Sequence, residues 1–286
     1  MAQEPAAASA SIADATLRYG QPVVVRGAAP AGTPVVLEYR AADAEAWKPV
    51  ARSTAGRTGR YRLAVALSRS GAVRVTAAPG PATAAGFTAA AGGSAVVPAT
   101  HTVRVAARLR ATSARLNVTP GHKVRVRGTL RRPRAGRVVA LEAQVGNGWK
   151  TLDRARTSAS GQFRLSAAAK RSAVVRLRFS GDALNASSRR TLGRMRVFRR
   201  SFASWYGPGL YGNRTACGQT FHAGIMGVAH KTLPCGSRVT FKKGARVVRA
   251  RVVDRGPFVG GREFDLSPAV KAALGFGSTG PVWVAT

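Results

Sequence analysis

The sequence predicts an all-β chain of three consecutive units: two related sandwiches, then a smaller β domain with one short helix. Three observations carry this. Runs of four to seven residues in which apolar and polar side chains alternate recur through the first two thirds, broken by Gly, Pro and Ser, the pattern of strands with one buried face. The chain also repeats itself. The segment 19-YGQPVVVRGAAPAGTPVVLEYR-40 aligns with 120-PGHKVRVRGTLRRPRAGRVVALEAQ-144, 47-WKPV-50 with 149-WKTL-152, and 59-GRYRL-63 with 161-GQFRL-165, at an offset of about 102 residues. The last third then changes texture, interleaving Gly, Pro, aromatics and single polar residues with no long helical period, as tight turns between short strands require.

Taken in order, residues 1–14 (MAQEPAAASASIAD) are expected to be a disordered tail. They show neither the basic region nor the apolar core of a secretory leader, and resemble the polar stretch that follows a cleavage site. No apolar run approaches the ~20 residues that span a bilayer, so no transmembrane segment is expected. Residues 15–109 and 110–200 form the two repeats. Their pattern resembles bacterial immunoglobulin-like domains, without the Cys…Trp…Cys spacing of antibody domains. Trp47 and Trp149 are expected at equivalent positions on the edge of each core. The low-complexity stretch 78–101 reads as a long loop before a last strand, His101 to Leu109.

The chain has 286 residues and a formal net charge of +35, unevenly shared. Residues 111–200 carry 22 Lys and Arg against 3 Asp and Glu, whereas 201–286 carry 11 against 3. On 123-KVRVR-127 the basic residues would line one solvated face while the valines turn inward. Such a surface is either simply a solvated face or a hold on anionic wall polymer through the second repeat. Nucleic acid is disfavoured, because no helix-turn-helix, zinc-finger or aromatic RNA platform accompanies the charge. Neither repeat contains a catalytic constellation.

In residues 201–286 an alternating strand ends at Asp254 and the next short extended piece ends at Asp265. Ser267 as N-cap, Pro268 at the first helical position and Gly275 beyond Leu274 delimit one helix, 268 to 274. The only cysteines, Cys217 and Cys235, are each followed by glycine. A structural disulfide, with the oxidising compartment it implies, is the leading reading. The alternative is zinc shared with His222 and His230, but C-x4-H-x7-H-x4-C lacks the short paired spacings of structural zinc sites. No metal or other cofactor is expected.

Three blocks in this domain, 203-ASWYGPGLYGNRTACG-218, 228-VAHKTLPCGSRV-239 and 251-RVVDRGPFVGGREFDLSPAVKAALG-275, resemble in order and spacing the double-psi β-barrel of the rare lipoprotein A family, in its actinobacterial form with two cysteines. The resemblance implies a six-stranded barrel in an extracellular or cell-wall protein. It implies a lytic transglycosylase that cleaves the MurNAc–GlcNAc bond of peptidoglycan strands to leave 1,6-anhydro ends. Asp254 and His230 match the family's catalytic pair. Asp265 matches a carboxylate shared with expansins and with membrane-bound transglycosylase A. Trp205, Tyr206, Tyr211 and Thr215 fall where substrate would bind. Each residue also has a plainer reading: Asp254 as a turn cap or the partner of an arginine, Asp265 as a group fixing the start of the helix, His230 as a core histidine, the aromatics as core, Thr215 as a hydrogen-bond partner of a neighbouring turn. Where many members carry TANGE and LPFG, this chain has TACGQ and LPCG, so Gln219 replaces an acid. The alternative activity is that of an expansin-like wall-binding module without cleavage.

Overall fold

The computed structural model describes residues 9–77, 95–96 and 99–286, and among them the chain is all-β with one helix. Three separate hydrophobic cores correspond to the three units. In the first repeat, Pro22–Ala28 pairs with Ser9–Ile12 on one side and Arg60–Ala66 on the other. A second sheet runs in the order Thr16–Leu17, His101–Val105, Gly71–Ala77, Pro34–Ala41, Lys48–Thr54. The second repeat has the same two-sheet plan. Leu109–Arg115, Lys123–Leu130 and Gln162–Ala168 form one sheet; Asn117–Val118, Ser188–Val197, Ala173–Phe179, Val138–Val145 and Gly148–Arg156 form the other.

The internal repeat has physical content. In the first copy Arg74 pairs with Glu38 at 2.7 Å and lies over the Trp47 ring at 4.4 Å. In the second, Arg176 pairs with Glu142 at 2.7 Å and lies over Trp149 at 3.8 Å. Both tryptophans are half-buried under their arginines, and neither packs against the core of its repeat, where the sequence expectation put them. A glycine under an aromatic ring recurs as well. A Cβ on Gly27 would lie 1.9 Å from the Ser9 carbonyl oxygen and 2.3 Å from the Tyr61 hydroxyl, and one on Gly128 would meet the Arg110 carbonyl oxygen at 2.3 Å and the Phe163 ring at 2.4 Å. The aromatic ring covers the strand where no side chain can fit, and the first strand of each repeat closes over it.

Two boundaries differ from the sequence expectation. Ser9–Ile12, inside the expected tail, is a paired strand, the counterpart of Leu109–Arg115; residues 1–8 lie outside the described residues. The last strand of the first repeat ends at Val105 rather than Leu109, because Leu109 already pairs with Leu130 of the second repeat. Most of the stretch expected as a loop, 78–94 and 97–98, lies outside the described residues, while Ala95–Val96 pairs with Gly71–Ala77.

A polar clamp joins the two repeats. Asn185, fully buried, donates from Nδ2 to the carbonyls of Ser68 (3.1 Å) and Val105 (3.2 Å) and accepts from Arg137 Nη2 at 3.0 Å. Arg137, itself buried, is neutralised by Asp182 at 2.8 Å. Backbone bonds from Ser70 to Leu184 (2.7 Å) and from Ala186 to Val105 (2.9 Å) complete the seam. At the other junction a single residue intervenes. The strand Ser188–Val197 is followed by Phe198, which has no exposed surface, and then directly by the barrel strand Arg199–Trp205. The barrel thus begins two residues before the boundary expected at 201.

The barrel closes in the order Arg199–Trp205, Phe264–Leu266, Gly227–Ala229, Arg246–Asp254, Arg238–Lys243, Thr279–Ala285 and back to Arg199–Trp205. Phe241, Phe264, Leu266, Val228, Val252 and Val284 fill it. The helix Pro268–Leu274 starts and stops where its signals put it. The Ser267 hydroxyl accepts from Val270 N, and Gly275 takes φ +59° in the left-handed region, where a side chain would be strained.

The clamp is testable. Replacing Asn185 with Ala removes the donor to the Ser68 and Val105 carbonyls and leaves part of a buried guanidinium without its acceptor, and is expected to cost about 2–3 kcal/mol. The measurement is chemical denaturation followed by tryptophan fluorescence, together with proteolysis at the 105–109 connection; an unchanged midpoint and unchanged cleavage would refute the clamp.

Candidate active site

The middle barrel strand Gly227–Ala229 gathers the carboxylates. Ala229 pairs in parallel with Asp254 on one side and antiparallel with Asp265 on the other. Asp254 ends its strand, and its Oδ1 accepts two backbone N–H groups, from Ala216 and from Arg255, both at 2.8 Å. Its second oxygen has no hydrogen-bond partner among the described residues. The Ala216 amide is delivered by a tight turn in which Thr215 N donates to the Gln219 carbonyl and Gly218 N to the Thr215 carbonyl, closed by the buried Thr215 hydroxyl accepting from Gln219 N at 3.2 Å. Thr215 therefore shapes the loop that grips Asp254.

The cysteines lock that loop. Cys217 and Cys235 form a disulfide with Cα atoms 5.6 Å apart, so neither sulfur is free to ligate zinc with His222 and His230. Closing a loop of this length contributes on the order of 3 kcal/mol. Arg255 braces the other end, donating to the carbonyls of His230 (3.3 Å) and Leu233 (2.9 Å) and reaching Cys235 Sγ at 3.4 Å.

Tyr206 faces both carboxylates. Its hydroxyl is buried without a hydrogen-bond partner, and burial, then the charges of Asp254 and Asp265, push its pKa well above the ordinary tyrosine value. The ring stacks on Phe221 (4.6 Å), which stacks on the exposed Tyr211 (5.7 Å), so three rings lead outward from the carboxylates. Trp205 belongs elsewhere. The last residue of the strand Arg199–Trp205, it packs against the barrel core, under the Lys271 ammonium at 3.6 Å and beside Gly207. Asp265 accepts from the buried Ser204 hydroxyl. The N-cap of the helix is Ser267, which removes that task from Asp265.

His230 is fixed at both nitrogens. Nδ1 accepts from the backbone N–H of Thr232 (3.1 Å) and Leu233 (3.0 Å), so the neutral ring carries its proton on Nε2. Nε2 lies 3.5 Å from Glu263 Oε1, and the ring tilts against Phe264 at 4.8 Å. His230 and Asp254 meet through the backbone, His230 N donating to Asp254 O at 3.1 Å, while the histidine's polar edge is turned to Glu263.

Glu263 is the site residue that sequence reasoning passed over. Two positions before Asp265, it starts the same extended piece and shares its face, the one available signal. Burial pushes its carboxyl up, but the hydrogen bonds and charge of Arg199, with bonds from Ser201 (2.8 Å) and His230, outweigh burial and hold it below the usual carboxylate range. A depressed folded-state pKa contributes stability that is present above the unfolded value and is lost as pH falls through the folded one. Glu263→Gln should therefore destabilise the barrel at neutral pH by about 1 kcal/mol, discounted for partial exposure. The difference from wild type in thermal unfolding should vanish once the wild-type carboxyl is protonated in strong acid. A penalty equally large there would assign the effect to packing.

With this geometry, the comparisons with known proteins are specific to the barrel. Residues 200–286 match the family model described as lytic transglycolase. The chain is 49% identical over 80 residues to the probable endolytic peptidoglycan transglycosylase RlpA of Synechocystis sp., covering 27% of this chain and 25% of that protein. It is 48% identical over 80 residues to the RlpA of Pseudomonas aeruginosa (27% and 24%) and 44% identical over 84 residues to that of Neisseria meningitidis serogroup A (29% and 35%). The chain thus spans about a quarter to a third of the length of these curated relatives. A closed six-stranded barrel, a loop locked over Asp254 and matches confined to this region lead to one conclusion: residues 200–286 form a double-psi β-barrel domain similar to that of the RlpA proteins.

Proposed function

We propose that the barrel is a lytic transglycosylase that cleaves the MurNAc–GlcNAc bond of peptidoglycan. The observation that carries this reading is the divided coordination of Asp254. One oxygen is saturated by two backbone N–H groups, and the other has no partner among the described residues, beside a buried tyrosine hydroxyl that also has none. A carboxyl held in this way keeps its orientation and has an oxygen free to carry a proton. Asp254 in its acid form protonates the glycosidic oxygen as the C1–O bond breaks. The resulting carboxylate then takes the proton from the sugar's own C6 hydroxyl as that oxygen bonds to C1. No water is consumed, and a 1,6-anhydro end remains.

The other residues follow from their partners. With Nδ1 saturated and the proton on Nε2, His230 donates a hydrogen bond rather than accepting a proton. Its role is to orient substrate or to stabilise negative charge. Asp265 supplies a second negative charge beside the Tyr206 hydroxyl, suited to a centre that becomes positive in the transition state. The Tyr206–Phe221–Tyr211 stack offers sugar rings a path to the carboxylates. A disulfide and a peptidoglycan substrate together favour a location outside the cytoplasm, in the cell wall or extracellular space. No described helix is long and apolar enough to cross a membrane.

A second reading, the expansin-like binder, is favoured by Gln219, which stands where many relatives carry an acid and cannot deliver a proton. Asp254→Asn separates the two. General acid–base help is typically worth ~10²–10⁴ in rate, so release of anhydro-muropeptides, read by mass spectrometry, should fall by about that factor while wall binding holds. Wild type that binds glycan strands yet releases no anhydro ends would establish the binder.

The basic repeat 110–200 has a role of its own in this reading, an electrostatic hold on anionic wall polymer. Retention on purified walls should then weaken steeply as salt rises, since the screening length falls from about 10 Å at 0.1 M to about 3 Å at 1 M. Salt-independent retention would remove that role.

A further inference from the structure

A cavity of about 830 Å³ lies where the second repeat meets the barrel, and the charged side chains that line it are all of one sign. Arg194 and Arg196, alternate residues of the strand Ser188–Val197, form one wall. Arg238, Arg249 and Arg251, from the hairpin of Arg238–Lys243 with Arg246–Asp254, form the other. In that hairpin Arg238 stands directly opposite Arg251, and Arg249 opposite Thr240. Like charges facing each other across a ladder destabilise it. Among the described residues no Asp or Glu side chain lies within 4.0 Å of any of the five guanidinium groups, although six other arginines of the chain have such a partner.

The polar contacts of the five are few. Arg196 Nε donates to the Thr240 hydroxyl at 3.2 Å, and its Nη1 to the Arg194 carbonyl at 3.5 Å; Arg194 Nη2 donates to the Thr286 carbonyl oxygen at 3.4 Å. Burial, then the positive charges of Arg249 and Arg194, lowers the pKa of Arg196, the signature of a cation among uncompensated cations. The rest of the lining is Gln219, the apolar side chains of Ile225, Met226 and Val253, and small residues, and it contains no aromatic ring.

We propose that this junction cavity is a binding site for a phosphodiester polymer with an aliphatic backbone. Guanidinium groups converging from two strands and from a facing domain suit a tetrahedral phosphate, whose free oxygens project in different directions, better than a planar carboxylate. The aliphatic floor takes carbon chain between phosphates. Without a ring to stack on, nucleobases find no platform, which sets the site against single-stranded nucleic acid. The site is narrower than the diffuse charge of the second repeat, and it does not require the barrel to cleave anything. Arg194 and Arg196 come from the second repeat and the rest of the lining from the barrel, so an occupied cavity ties the two together.

The test uses the full chain and two probes, inorganic tripolyphosphate and a poly(glycerol phosphate) oligomer, titrated by calorimetry at low salt. Both are expected to saturate at one site. Arg249→Gln with Arg251→Gln should weaken both by about tenfold or more, allowing for partial exposure of the pairs. The charge-matched Arg60→Gln with Arg62→Gln, on the exposed face of a strand of the first repeat, should leave them within about twofold. Relieving the Arg238–Arg251 repulsion should keep the cavity variant folded, as circular dichroism and thermal unfolding would report. Arg194→Gln with Arg196→Gln attacks the opposite wall and should weaken both probes similarly. Equal weakening by the cavity and control variants would overturn the site and leave only diffuse attraction. Failure to saturate would overturn it too. Tighter binding of polyglutamate or of an oligonucleotide of equal charge would overturn the assigned ligand class.

Discussion

The barrel depends on a strand of three residues. Gly227–Ala229 is buried along its whole length, hydrogen-bonded in parallel to Arg246–Asp254 and antiparallel to Phe264–Leu266, so it has no free edge. Space there is nearly exhausted, since a Cβ on Gly227 would come within 2.3 Å of Val253 Cγ2. Everything at the site is placed relative to this strand. It separates Asp254 from Asp265 by one strand width on each side, leads into the His230 turn, and through Gly227 accepts the backbone N–H of Ser267 at the start of the helix. A larger residue at 227 would move both acids at once.

Around that strand the site is held by backbone rather than by side chains. Two amides fix Asp254, two fix His230, and the disulfide and Arg255 fix the loops that present those amides. Such preorganisation needs no charge partner next to the Asp254 carboxyl, and none lies within ion-pair distance among the described residues. The one strong ion pair nearby, Arg199 with Glu263, sits behind His230 rather than beside Asp254. The side chains left with unmet capacity, Asp254 and Tyr206, are therefore where a substrate would be felt.

Local signals were legible in the sequence and long-range ones were not. The helix 268–274 could be read because its cap, its proline and its glycine lie within nine residues of one another. The repeat could be read because its Trp and Arg keep their spacing. The cysteine pairing followed from there being only two. Ser9–Ile12 escaped because SASI carries no alternating pattern of bulky side chains; its strand exists because Gly27 leaves room for it. Glu263 escaped because its partners Arg199, Ser201 and His230 are more than thirty residues distant along the chain. Trp205 and Tyr206 are neighbours in the sequence, yet which of them meets the carboxylates is decided only by closure of the barrel.

Phe198 gives the molecule a mechanical property. With one buried residue between the last strand of the second repeat and the first strand of the barrel, and with its amide bonded to the Val118 carbonyl at 2.8 Å, there is no slack at this joint. A tether of flexible residues would stretch before passing on tension. Here a pull along the second repeat loads the hydrogen bonds of Arg199–Trp205 in shear, against Phe264–Leu266 on one flank and Thr279–Ala285 on the other. A protein fastened to a growing and deforming wall would thus pass strain in that wall straight to the strand that carries Ser204, the partner of Asp265.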